Sequence, residues 1–228
     1  MAITGLIDFL CRSSSVRRPQ PGTPSPGPDA ATAVRTIANF ALIALFVELA
    51  FDSVEHFIYA ATLSSSGMLA VNGLILGLFL CRREAKTETT SPALWLLGYG
   101  GTMLPLLMRP SMPPGRGMAG AIVELAGLVM LTAALLSLRR SFAIVPANHG
   151  VREGGLYRFV RHPVYLAELT LLLGVLIANP TPRNTLLWVI ECGLQFARAL
   201  AEERHLAADP RYLAYCGRVR CRFIPALL

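Results

Sequence analysis

Residues 185–206 read TLLWVIECGLQFARALAEERHL, an apolar run broken by polar side chains at regular steps. Thr185 to Leu200 has nearly the length an α-helix needs to cross a bilayer core. Glu191, Gln195, Arg198, Glu202 and His205 follow one another at steps of four, three, four and three, so on a helix they form one stripe. A solvated face explains the far end of that stripe. It does not explain Glu191 or Gln195, which lie inside the apolar run, where an ionisable group is costly and faces the interior of a bundle. The segment reads as a membrane helix that carries a functional polar stripe out into water.

The rest of the chain agrees with a membrane setting. Of 228 residues, 54% are hydrophobic and only 15% charged, and the mean hydropathy is +0.51, which excludes general disorder. Nineteen Gly without a three-residue period exclude a collagen-like fibre. Five further apolar runs are roughly Thr36 to Phe51, Phe57 to Cys81, Pro92 to Met108, Met118 to Leu138 and Val164 to Ala178. In lipid each must satisfy its own backbone groups, so all are helices. The expected fold is all-α, a polytopic transmembrane helix bundle of about five to six spans. With the N-terminus in the cytoplasm, Lys and Arg in alternate loops number 18 on that side and three (Arg109, Arg116 and Arg183) on the other. Both termini then face the cytoplasm, in the inner membrane of a prokaryote or the endoplasmic reticulum of a eukaryote.

Three regions are expected: a tail over 1–34, generic transmembrane helices over 35–138, and a chemistry-bearing region over 139–228. Arg12 to Ala31 is a Ser, Pro and Arg tract that cannot bury enough surface to fold, and Met1 to Cys11 is too short for a signal peptide's apolar region and cleavage site. The net charge of +7 lies between apolar runs, where it sets orientation and meets lipid headgroups; no basic stripe with interleaved aromatics points to nucleic acid. Cys11, Cys81, Cys192, Cys216 and Cys221 form no CxxC pair. Glu202-x-x-His205 has the spacing used in di-iron bundles, but none of His56, His149 and His162 lies three after a Glu, so no metal site is expected. GYGGT at Gly98 to Thr102 nearly spells a nucleotide-binding turn but lies inside an apolar run, so close helix packing is its better account.

The second informative stretch is HGVREGGLYRFVRHPVY, His149 to Tyr165, a loop that dives into the fifth apolar run. Gly154 and Gly155 permit a tight turn, and Pro163 suits the first turn of a helix. Tyr157, Arg161, His162 and Tyr165 then gather at a helix entrance, as a site or as interfacial anchors.

The ordered set GLYRFVRHPVYL, Asn179-Pro180, EERHL at 202–206, YLAY at 212–215 and RFIP at 222–225 resembles the isoprenylcysteine carboxyl methyltransferase family. A looser likeness extends to phospholipid N-methyltransferases. The resemblance covers about the last 85 residues. It implies, at the end of the bundle, a cytosolic C-terminal cofactor pocket for S-adenosylmethionine lined by His149, Gly150, Val151, Arg152, Tyr157, Arg161, His162, Pro163, Val164, Tyr165 and Glu202. It also implies that Arg198 holds a lipophilic acceptor arriving sideways from the bilayer, so that Arg198 and Glu202 are the catalytic pair. Two departures are Ala167, where the family usually has Gly, and Arg152, where an aliphatic residue is common.

The chemistry fits that layout. Methyl transfer from a sulfonium to a carboxylate makes neutral products from opposite charges, so excluding water and aligning the ions lowers the barrier. Arg198 can grip a carboxylate through two hydrogen bonds, with Glu202 one turn away. Glu203, 100° around the helix from Glu202, is assigned second. Alternatives are a phospholipid or other small-molecule methyltransferase, an NADPH-dependent reductase of the steroid-reductase type that would use Arg218, Arg220 and Arg222, and a non-catalytic membrane protein.

Overall fold

The computed structural model describes residues 30–59, 63–80, 87–88, 91–108, 118–138, 147–148 and 151–224. Seven helices follow in order among them: α1 (Ala30–Tyr59), α2 (Leu63–Leu80), α3 (Pro92–Met103), α4 (Met118–Leu138), α5 (Pro163–Ala178), α6 (Pro182–Leu206) and α7 (Pro210–Arg218). α3 runs on into a 3-10 turn over Leu104–Leu107, and a second such turn covers Gly155–Arg158. Two short strands, β1 (Thr87–Glu88) and β2 (Ala147–Asn148), pair antiparallel, with Thr87 opposite Asn148. The pair ties the α2–α3 connection to the segment after α4, and β2 packs against α6.

Local sequence sets the helix starts. Proline opens α3, α5, α6 and α7, where its missing N–H costs nothing. Thr181 caps α6 by accepting the Asn184 N–H at 3.1 Å, and Asp209 caps α7 by accepting that of Arg211 at 3.0 Å. Asn179, Pro180 and Thr181 alone join α5 to α6, so the two helices return antiparallel.

α4 and α5 form the tightest pair. A Cβ on Gly127 would collide with the Leu171 backbone nitrogen, and one on Gly174 with that of Glu124. Gly120 faces Ala178 in the same register. The backbones therefore touch along a seam of small residues. Ala167 continues the seam and is fully buried among Leu128, Leu131 and Leu135 of α4 with Leu42 and Phe46 of α1. Its single methyl is accommodated where the resemblance led us to expect glycine.

Large apolar side chains point outward on several helices, among them Leu96, Ile122, Val129, Leu136, Leu186 and Val189. An apolar exterior of this extent suits lipid. Among the described residues one helix, Met118–Leu138, is long and apolar enough to cross a membrane, and Ala93–Leu107 and Pro163–Ala178 are shorter apolar helices. Expected and observed ends differ mainly in the N-terminal half. α1 extends from Ala30 to Tyr59 rather than from 36 to 51, and α2 starts at Leu63 rather than Phe57. Hydropathy marks the lipid-facing part of a helix, whereas the AATAV start and the DSVEH turn continue it through helix propensity once it is nucleated. The tail expected over 1–34 thus gives up its last residues to α1; 1–29 lie outside the described residues.

Candidate active site

The loop before α5 is docked at both of its ends. Gly155 has φ +62°, a left-handed conformation, and a Cβ there would overlap the Ser137 hydroxyl, so the turn rests directly on the end of α4. Tyr215 of α7 donates its hydroxyl proton to the Tyr157 carbonyl at 2.7 Å. Val151 packs on the buried cluster of Tyr212, Tyr215 and Val219. The backbone N–H groups of Arg161 and His162 donate to the carbonyls of Cys221 and Arg222, each at 2.9 Å, and Arg161 Nη2 reaches the Arg220 carbonyl at 2.7 Å. The segment after α7 therefore runs as a strap across the mouth of α5.

Beneath the strap the two neighbouring carboxylates of α6 have different surroundings. Glu203 accepts from Arg161 Nη1 at 2.8 Å and Arg222 Nε at 3.0 Å, and lies 3.2 Å from His162 Nε2. Burial alone would raise its carboxyl pKa, but the hydrogen bond and charge of His162, then the Arg222 bond and the Arg161 charge, hold it below the ordinary value. Glu203 is thus the knot that ties helix entrance, strap and α6 together. Glu202 is more open, its side chain 34% exposed against 12% for Glu203. It accepts the Tyr165 hydroxyl at 2.9 Å and lies 3.8 Å from His162 Nδ1. Burial, followed by the Glu202 charge, pushes the Tyr157 hydroxyl pKa well up, so that group stays protonated.

The aromatic groups are layered. His162 stacks on Tyr165 with ring centres 5.5 Å apart and planes 7° from parallel, and Phe223 of the strap lies 5.8 Å from the same imidazole. Pro163, at the first position of α5, is buried, and Val164 packs against the main apolar core.

Going down α6, Arg198 lies over the Tyr165 ring with Cζ 4.8 Å from its centre, a cation–π contact. Its Nη1 donates to Gln195 Oε1 at 3.1 Å. Gln195, fully buried, donates through Nε2 to Glu191 Oε1 at 2.6 Å and to Glu168 Oε2 of α5 at 2.8 Å. On α3, a Cβ at Gly101 would stand 2.9 Å from Arg198 Cδ and 3.0 Å from Nη1. Within GYGGT it is Gly101 that allows this close approach, whereas a Cβ at Gly100 would meet open space, and what packs at Gly101 is the arginine of the stripe.

The stripe and the helix entrance, read separately in the sequence, meet at Tyr165, which touches Glu202 through its hydroxyl and Arg198 through its ring face. Tyr157, Arg161, His162, Pro163, Val164 and Tyr165 all lie around this junction, and Val151 is held nearby by α7. Arg152 is half-buried. His149 and Gly150 lie outside the described residues. Three participants were not singled out in the sequence as parts of one site: Glu168, linked to the stripe through Gln195; Gly101, which gives Arg198 its room; and Arg222, which closes on Glu203. Glu168 stood out only as an acid inside an apolar run, and Gly101 carried no sequence signal beyond helix packing. Of the arginines a nicotinamide cofactor's phosphate would need, Arg218 is engaged by Glu153 and Arg222 by Glu203.

In comparisons with known proteins, residues 120–208 match the isoprenylcysteine carboxyl methyltransferase (ICMT) family. The matched stretch covers α4 to α6 with the loop between them, and so includes the helix entrance, the stripe and both carboxylates. No curated protein matches the chain.

Proposed function

We propose, from the match of residues 120–208 to the ICMT family of membrane methyltransferases, that the chain transfers a methyl group from S-adenosylmethionine to the carboxylate of a lipophilic acceptor, such as a prenylcysteine-like group. The observation that carries this reading is the convergence of Arg198 and Glu202 on Tyr165. It gives one cation and one accessible carboxylate, a turn apart, at the end of an apolar bundle.

The donor set suits such a cofactor. Glu202, half-open and backed by the Tyr165 hydroxyl, is an anionic acceptor for amino or ribose hydroxyl groups and a counter-charge for a sulfonium. When bound, S-adenosylmethionine supplies the activated methyl group and the positive charge. Val151, Arg152, Tyr157, His162, Pro163, Val164 and Tyr165, with His149, Gly150 and Arg161, form the cofactor-binding set of this reading. Arg161 and His162 act there through their hold on Glu203 and the strap, which keeps the wall rigid. Arg198 orients the acceptor carboxylate through paired N–H donors, and the Tyr165 ring keeps the guanidinium from swinging. The apolar helices exclude water from the reacting pair, which strengthens every charge interaction there. No general base is needed, because a carboxylate acceptor carries no proton to remove.

In this reading the chain crosses the membrane several times with both termini cytoplasmic, and the acceptor enters from the bilayer. A second reading, an amine acceptor as in phospholipid methylation, is favoured by one observation: Glu168 and Glu191 place two buried carboxylates one hydrogen bond beyond Arg198 through Gln195. Incubating the purified chain with a lipid extract and methyl-labelled S-adenosylmethionine tests both. A base-labile methyl ester supports the carboxylate, a labelled N-methyl lipid supports the amine, and a protein that retains NADPH but not S-adenosylmethionine overturns both.

A further inference from the structure

In the sequence, the entrance to α5 reads either as a site or as a set of interfacial anchors. Tyr157, Arg161, His162 and Tyr165 are all buried or half-buried around the junction, which leaves none of them for the second role. Between them stand two exposed residues, Arg158 and Phe159, the phenylalanine 56% exposed, while Val160 beside them is buried. Arg161 and Arg222 are engaged by Glu203, and Arg218 by Glu153. Arg158 instead lays its guanidinium over the Phe159 ring, with Cζ 5.1 Å from the ring centre. The depth of this pair follows from α4. That helix has 21 residues, about 31 Å at about 1.5 Å per residue, which matches the hydrocarbon core of a bilayer. Its last turn, which holds Ser137, therefore lies where hydrocarbon gives way to headgroups. Arg139 and Arg140 follow it directly in the sequence, so this edge is basic and complements an anionic leaflet. The turn over Gly155–Arg158 packs on α4, with Gly155 resting on Ser137. Arg158 and Phe159 are thus carried at headgroup level. There a ring suits the upper acyl region, and a guanidinium takes a phosphate through paired N–H donors.

We propose that Arg158 and Phe159 form a docking point for the anionic phospholipid headgroups of the surrounding membrane, and that this contact holds the turn carrying Tyr157 against the end of α4. The ring enters the bilayer edge and the guanidinium on its face binds the phosphate. Arg161 and His162 follow within three residues of the pair, so the lipid surface steadies one wall of the junction from outside. The proposal goes beyond the methyl-transfer reading and needs neither the donor nor the acceptor of that reaction.

The test uses the full chain in nanodiscs of phosphatidylcholine, alone or mixed with phosphatidylglycerol. Hydrogen exchange reads the turn directly. In the wild type, amide exchange over residues 156–162 is expected to slow about fivefold when the anionic lipid is present, the factor one arginine near a charged surface supplies. The slowing should vanish in about 1 M salt, where the Debye length is about 3 Å. Arg158→Gln and Phe159→Ala change exposed side chains, so both are expected to fold as the wild type does and to lose most of the slowing. Phe159→Trp adds an emitter at the ring. Brominated phosphatidylglycerol should quench the added emission more strongly than brominated phosphatidylcholine at equal content. A purely structural role for the pair would speed exchange in the variants equally in both lipids. No slowing in the wild type, or the same slowing in the wild type and in both variants, overturns the proposal. So does equal quenching by the two brominated lipids.

Discussion

Replacing Glu203 with alanine separates the two neighbouring carboxylates of α6 by their physical roles. The change removes the common acceptor of Arg161, His162 and Arg222. Arg222 is 36% exposed and returns to water, so its share is small. Arg161 and His162 are only 13% and 4% exposed and cannot. Breaking a buried pair from one side costs about 3–5 kcal/mol, and the lower end applies because Arg161 keeps its bond to the Arg220 carbonyl. A loss of about 3 kcal/mol, at about 2–4 °C per kcal/mol for a chain of this size, lowers the melting temperature by roughly 6–12 °C. Glu202→Ala forfeits a single hydroxyl hydrogen bond, about 1 kcal/mol or roughly 2–4 °C. Thermal unfolding of the two variants and the wild type in one detergent is the assay. Equal melting temperatures for Glu203→Ala and the wild type, or a lower one for Glu202→Ala than for Glu203→Ala, would refute the assignment of Glu203 as the structural knot.

Activity is expected to show the reverse order: Glu202→Gln keeps the shape but removes the charge, and labelled methyl transfer falls at least about a hundredfold while the protein remains folded and inserted. The acid limb of stability should follow Glu203. Its folded pKa lies below the unfolded value of about 4.3, so its contribution is fully present above that pH and is lost as pH falls toward the lowered folded value; melting temperatures measured through this window should fall more steeply for the wild type than for Glu203→Gln. At the α4–α5 seam, Gly127→Ala places a methyl group against the Leu171 backbone, which cannot swing aside. Overpacking of this kind costs about 1–3 kcal/mol, and a variant that melts with the wild type would mean the helices are not in backbone contact.

What the sequence revealed about this fold and site follows physical range. The stripe from Glu191 to His205 was readable because one helix dictates its own periodicity, and all five residues lie on α6. Pro163 and the glycines of the loop were readable for the same reason, since their backbone preferences are local. The α1–α2 boundary was not, because hydropathy weighs side chains against lipid while the helix end depends on backbone propensity and capping. Whether Glu202 or Glu203 stands open was invisible too. The two differ by one step on the helix, and only the strap, arriving from residues 220–223, occupies the second. The pairing of Glu168 with Gln195 needed the hairpin at Asn179 to bring two helices into register.

The glycine seam has one consequence for traffic. Where two main chains touch with no side chain between them, no fatty or prenyl tail can wedge through without prising the rods apart. The α4–α5 face is a closed wall, and any greasy molecule that reaches the arginine of α6 must find its doorway elsewhere on the bundle's perimeter.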